Sequence, residues 1–253
     1  MNISKTAINV LGKWVLCDNC LGRIWAQLLS GTSNKERGKT IRRYVAMLID
    51  SGEKIEINEK NLYGIKLRNF KNVTEKEECY ICKNFFEEKI YEFAKKVLEE
   101  SKKIEFKTFL IGSIIPQYMT ATEEKVWEEV DIEGVESIKS EINREIGKIV
   151  KKLTGKNFEQ KNPDVTFIVD LNKGKIKTEI RSLYVFGEYK KLSRGIPQTK
   201  WVCSRCKGKG CEHCRGKGKL YPTSVQEIIE NPFLKYCKSE KTRFSGAGRE
   251  DID

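Results

Sequence analysis

Eight of the nine cysteines fall into four close pairs, Cys17/Cys20, Cys79/Cys82, Cys203/Cys206 and Cys211/Cys214, and Cys237 stands apart. A C-x2-C pair folded into a turn offers two thiolates to one side of a metal ion, and two such pairs complete a tetrahedral four-sulfur set. A set filled by protein at every position leaves no place for a reactive water, so the chemistry it predicts is structural. Cys17, Cys20, Cys79 and Cys82 form one candidate zinc site, closing an N-terminal module; buried or redox-active thiols are the alternative. Cys203, Cys206, Cys211 and Cys214 form a second, within CSRCKGKGCEHCRGKG, two near copies of C-x2-C-x-G-x-G. The glycines permit the positive φ and close backbone approach that a knuckle demands. A metal-free hairpin is the alternative here, so one or two structural zinc ions are expected. His213, the sole histidine, is read as a spectator beside four sufficient thiols. Lys207, Lys209, Arg215, Lys217 and Lys219 interleave with the second set and ring it with positive charge suited to a phosphate backbone.

The first 16 residues lack the long apolar core of a secretory leader. The cysteine pairs are therefore read as metal ligands rather than a disulfide framework. No run approaches the ~18 consecutive apolar residues of a membrane span, so a cytoplasmic protein without a membrane partner is expected. Lys and Arg outnumber Asp and Glu by 48 to 36, a formal net charge of +12 that attracts polyanions. A lysine-rich solvated surface gives the same excess, so charge alone does not decide for nucleic acid.

The elements that must position these residues follow from periodicity. Ile41, Tyr44, Val45 and Leu48 predict a helix starting at Asn34, with Asn34 as its cap. Lys60–Lys76 reads as loop or edge strand. Ile90, Phe93, Ala94, Val97 and Leu98 make one helical stripe; Ile138, Ile142, Ile146, Ile149, Val150 and Leu153 make another. Phe106–Ile115 reads as a buried strand closed by Pro116. Val165–Leu171 and Ile176–Val185 read as strands joined by the turn Asn172-Lys173-Gly174. A short helix is expected around Ser224–Glu230. Together these define an α+β (mixed α/β) protein. Its expected parts are residues 1–82, an N-terminal zinc module; 83–195, an α/β region; and 196–253, the glycine-rich four-cysteine hairpin with the segment after it.

A series of short strings, in fixed order between the cysteine pairs, carries a resemblance. It comprises Cys20-Leu-Gly-Arg23, Gly31-Thr-Ser-Asn-Lys-Glu-Arg-Gly38, Asn162-Pro163-Asp164, Arg194-Gly-Ile-Pro-Gln-Thr-Lys-Trp201, Thr223-Ser-Val-Gln-Glu-Ile-Ile229 and Gly246-Ala-Gly-Arg-Glu-Asp-Ile-Asp253. The series resembles the archaeal tRNA pseudouridine-54/55 synthases along essentially the whole chain. The glycine-rich hairpin alone is also similar to the zinc repeat of J-type co-chaperones, but their J domain and fourfold repetition are missing from this sequence.

The resemblance implies a THUMP-type RNA-binding region over 83–195 and the beginning of a pseudouridine synthase catalytic domain over 196–253. It implies isomerisation of uridine 54, uridine 55 or both in the TΨC arm of tRNA: the N1–C1′ bond breaks, the base turns and C5 bonds to C1′, with no organic cofactor. Arg249-Glu250-Asp251 matches the family's Arg-x-Asp register, which assigns catalysis to Asp251 rather than Asp253, with Arg249 assisting extrusion of the base. Arg194, Lys200, Lys207, Lys209, Arg215 and Lys217 are the expected RNA contacts. The family's further strands, base-stacking tyrosine and basic residue near the aspartate are expected beyond Asp253. A chain of these 253 residues is therefore expected to bind tRNA with little turnover, a separate chain being one source of the remainder. The alternative is a stand-alone zinc-stabilised tRNA-binding module. THUMP-bearing methyltransferases and thiolation enzymes are disfavoured, since no G-x-G-x-x-G or G-x4-GK string is present.

Overall fold

The computed structural model describes residues 2–68, 70–130, 134–237, 239 and 241–247. They form two compact units that divide between Leu183 and Tyr184.

The first unit opens with α1 (Ile3–Lys13), capped by the Asn2 side chain and burying Ala7, Val10 and Leu11. A short α2 (Asp18–Gly22) begins at the first cysteine pair, and α3 (Asn34–Asp50) follows it. The cap of α3 is Ser33 rather than the expected Asn34. Ser33 and Glu36 form a reciprocal capping box, because a hydroxyl one residue earlier reaches the third backbone N–H. Asn34 is instead the first helical residue and buried, its amide donating to Glu136 at 2.7 Å and Glu141 at 2.8 Å. Helices α2 and α3 cross at glycine. A Cβ on Gly22 would lie 1.9 Å from the Asn34 carbonyl oxygen, and one on Gly38 would lie 1.9 Å from that of Asp18.

The rest of this unit runs α4 (Phe85–Glu88), α5 (Ile90–Ser101), β1 (Thr108–Ile114), α6 (Gln117–Trp127), α7 (Ile138–Thr154), β2 (Asn157–Phe158), β3 (Val165–Asp170) and β4 (Lys175–Ile180). The sheet order is β2-β1-β3-β4; β1 pairs in parallel with β2 and β3, and β3 pairs antiparallel with β4. Both helical stripes foreseen in the sequence pack together and onto this sheet as α5 and α7. They cover the face where Phe109, Ile111, Val165, Phe167 and Val169 are buried.

Strand β4 stops at Ile180, five residues short of the expected end. Ile180 pairs with Val165, the first residue of β3, and the Arg181 N–H reaches the Asp164 carbonyl as a last rung. Beyond it no strand among the described residues offers a partner, and Leu183, Tyr184 and Val185 are 62–89% exposed. Asp164 fixes this corner, accepting from the backbone N–H groups of Lys107 at 2.9 Å and Thr108 at 3.0 Å and from the Arg181 guanidinium at 2.9 Å.

In the second unit the cysteine hairpin leads to α8 (Val225–Cys237), which continues past Pro232 and so exceeds the short helix expected. None of the described helices is long and apolar enough to cross a membrane.

Candidate metal centres and nucleic-acid interface

The first four cysteines come together although 59 positions separate the inner pair members Cys20 and Cys79. Cys17 caps α2, its sulfur accepting from the Cys20 N–H at 3.4 Å. Cys79 and Cys82 sit on a turn that Lys83 and Asn84 close with positive φ, and the Asn84 side chain accepts from the Cys79 N–H at 3.0 Å. The Tyr80 N–H to Val15 carbonyl bond, 2.8 Å, staples the two knuckles. All four sulfurs lie within 4.8 Å of one another, with Cys17 and Cys82 at 3.5 Å. Those separations are far beyond a disulfide bond. They suit a tetrahedral ion with ~2.3 Å metal–sulfur bonds, whose ligands sit roughly 3.8 Å apart. Burial pushes the Cys20 thiol well above its ordinary range, and hydrogen bonds among the crowded sulfurs add to this. Cys79 is also buried, yet contacts from Cys17, Cys20 and Cys82 hold it well below that range. A divalent cation stabilises every sulfur of such a group as thiolate.

The second cluster is built by near-twofold repetition. Lys207 and Arg215 both take positive φ directly after a cysteine. Gly210 and Gly218 each donate a backbone N–H to a sulfur, Gly210 to Cys206 at 3.2 Å and Gly218 to Cys214 at 3.1 Å. The copies interlock: a Cβ on Gly210 would come 2.7 Å from the Gly216 oxygen, and one on Gly218 would come 2.3 Å from that of Gly208. The sulfur pairs Cys203/Cys211, Cys206/Cys214 and Cys211/Cys214 lie 3.9, 3.7 and 3.7 Å apart. Burial works against the Cys214 thiolate, but N–H groups of Cys211 and Gly218 outweigh it and hold the group at about 6. Cys206 is pushed up to about 11, first by burial. Both four-sulfur groups thus fit a soft tetrahedral dication, and His213, exposed, is in neither.

The flanking strings hold this hairpin in place. Val202 bridges Lys219, and Trp201 meets Tyr221 edge-on at 5.5 Å. Lys219 pairs with Glu227 at 2.5 Å, and Ser224 accepts from the Glu227 N–H. The N–H groups of Val225 and Gln226 reach the Pro197 and Gln198 carbonyls. The strings around Pro197 and Ser224 are therefore a clamp between hairpin and helix.

Arg194, Lys200, Lys207, Lys209, Arg215 and Lys217 are all exposed, and among the described residues none of their side chains is ion-paired. Six cations face one carboxylate, Glu212, across residues 203–219. Arg249 and Asp251 lie outside the described residues.

Charged residues to which the sequence assigned no individual role form a buried network beside the first cluster. Arg23 donates to the Glu123 carboxylate, and Glu123 accepts from the Ile138 N–H at 2.7 Å. Glu141 accepts from Asn19 and Asn34, each at 2.8 Å. Arg37 donates to the Leu28 carbonyl at 2.8 Å, bracing the turn before α3. Burial raises the pKa of Glu123 and Glu141. Arg23, Asn34 and Arg37 lie in the short strings that carried the resemblance, whereas Asn19, Glu123 and Glu141 carried no sequence signal.

Residues 93–170, which include β1, β2, β3, α6 and α7, match the family described as "Pus10 THUMP domain, archaeal", so this is a THUMP-containing protein. Residues 184–253 match "Pus10, C-terminal", starting where the second unit starts. The chain belongs to the Pus10 family. It is 36% identical to the tRNA pseudouridine synthase Pus10 of Methanothrix thermoacetophila across 100% of this chain and 57% of that protein. It is 39% identical to those of Methanopyrus kandleri (94% of this chain, 56% of the relative) and Methanocaldococcus jannaschii (100% and 58%). The chain thus spans somewhat more than half the length of these relatives.

Proposed function

We propose that this chain is the tRNA-binding and aspartate-bearing part of a tRNA pseudouridine synthase that isomerises uridine 54, uridine 55 or both in the TΨC arm. The carrying observation is the alignment of the whole chain with relatives named tRNA pseudouridine synthase. Each cysteine set holds a structural zinc ion, which fixes a fold and takes no part in a reaction step. Arg194, Lys200, Lys207, Lys209, Arg215 and Lys217 bind phosphates, an assignment supported by their exposure and by the absence of ion pairs to them among the described residues. Asp251 supplies the carboxylate, as nucleophile toward the sugar or in proton removal, and Arg249 supports the extruded base. Such a carboxylate works only when held in register with the glycosidic bond. The strands that complete its surroundings come from sequence outside these 253 residues, in the same polypeptide or a second one. A cytoplasmic location fits that substrate.

The test uses unmodified tRNA transcripts. The chain should bind them with steep salt dependence. In a polypeptide carrying the complete catalytic domain, pseudouridine should form at position 54 or 55, and Asp251→Asn should lower turnover by roughly three orders of magnitude with affinity within about twofold. Absence of binding at roughly 50 mM salt, where phosphate contacts are strong, sinks the proposal. Binding without turnover in the complete protein favours a plain tRNA-binding module.

A further inference from the structure

Arg23 follows Cys20 by three residues, on the helical turn that runs straight on from α2, and is 1% exposed. Only part of its guanidinium is engaged. Nη1 donates to the Glu123 carboxylate and to the Glu136 carbonyl, the latter at 2.7 Å, and Nε stands 3.6 Å from Glu141. Nε and Nη2 are buried with no hydrogen-bond partner. Buried donors are nearly always satisfied, and an orphan on a charged group is especially unfavourable. Cys20 lies three residues earlier on the same helical run, and residues so spaced are neighbours on a helix surface. A guanidinium stays protonated in proteins, so its buried charge needs partners. Four thiolates around a divalent ion carry a net charge of −2, and buried charge is tolerated when it is paired. The other charged groups around Arg23 are the carboxylates of Glu123 and Glu141, with Arg144 at 3.8 Å on the far side of Glu141.

We propose that Arg23 is the outer partner of the first four-cysteine site, its free N–H groups serving the Cys20 thiolate, and that its Nη1 couples loading of that site to the first turn of α7. The coupling runs through Glu123, which holds the Ile138 N–H at the start of α7. A metal-bound Cys20 is a thiolate, an acceptor for the two orphan donors. Arg23 is thus a positioning residue that makes the knuckle and the THUMP helix one cooperative structure. The inference rests on the reading that this cysteine set holds metal.

The test is a Co2+ titration of the metal-stripped full chain, with the second cluster silenced by Cys203→Ser and Cys206→Ser. Thiolate-to-metal absorption reports on the first site alone. Arg23→Gln is expected to weaken Co2+ binding 10- to 100-fold, the usual effect of losing an outer partner. Arg23→Lys, which keeps the charge but not the planar fork, should fall in between. Unchanged affinity in either folded variant overturns the proposal. A second measurement needs no variant: hydrogen exchange of the unsubstituted chain with and without metal. The Ile138–Glu141 amides should gain about tenfold more protection from metal than those of β3, and an equal gain overturns the coupling. An unsubstituted chain that binds no metal at the first cluster defeats this proposal and the metal reading together. One that binds normally while the variants match it defeats this proposal alone.

Discussion

Gly38 and Asp164 show how little side-chain mass a single position needs in order to fix the first unit. Gly38 exists to let two backbones touch: a methyl group there would sit 1.9 Å from the Asp18 carbonyl oxygen, and backbone cannot rotate away as a side chain does. Gly38→Ala must push α2 from α3 and drag the Cys17 knuckle with it, so about 3 kcal/mol of stability should be lost, the upper end for overpacking. Urea unfolding measures this, and a loss under about 1 kcal/mol would contradict the crossing geometry. Asp164 acts through charge. The N–H groups of Lys107 and Thr108, then Arg181, hold its carboxyl below its ordinary range. A depressed folded-state pKa means stabilisation that is present above the unfolded value, about 4, and lost as pH falls through the folded value. Asp164→Asn should therefore flatten the decline in melting temperature below about pH 4, where the Asp164 carboxyl titrates. A decline as steep as in the unsubstituted protein would show that this corner gains nothing from the charge.

Elements were legible in the sequence where one apolar period ran unbroken. The stripes of α5 and α7 name their buried faces directly, because every third or fourth residue is aliphatic or aromatic and faces the sheet. Helix α6 escaped notice because Glu123, a carboxylate at a buried position, interrupts its stripe, and its partners, Arg23 and the Ile138 N–H, are distant in sequence. Strand β2 is two residues long and carries no period at all. The over-reading of 181–185 as strand has the opposite cause: aromatic and β-branched residues signalled a strand, but pairing partners are a tertiary matter. Cysteine pairing into two sets was legible from spacing alone, since only knuckle turns bring such thiols together. The interlocking of Gly210 on Gly216 and Gly218 on Gly208 was not, although the doubled C-x2-C-x-G-x-G string pointed to it. Gly218→Ala should break that interlock, because the new Cβ meets the Gly208 carbonyl and φ is +68°. Metal content should then fall from two ions per chain to one, with the first cluster still loaded. Retention of both ions would show that the hairpin tolerates a side chain at its crossing point.

At the scale of the whole molecule, the proposed tRNA binding could follow total charge or its placement. A net charge of +12 attracts any polyanion, whereas the exposed cations of residues 203–219 concentrate it on a hairpin held at its base by Trp201, Tyr221 and the Lys219–Glu227 pair. Counterion release separates the two, because the slope of log affinity against log salt counts phosphates engaged, at about 0.9 per contact on a B-form DNA duplex and about 0.7 on single strands. Replacing Lys207, Lys209, Arg215 and Lys217 together by alanine should flatten the slope by about 3 and weaken binding without abolishing metal uptake. A control that replaces Lys161, Lys173, Lys175 and Lys177 removes the same charge from the first unit, near and along the β4 edge. There lysines serve to keep a free strand edge from pairing with other chains. That control should shift the slope by less than about 1. Equal shifts in both variants would mean that the hairpin is one basic surface among several, and that the RNA is held by the field of the whole chain rather than by its cysteine-stabilised tip.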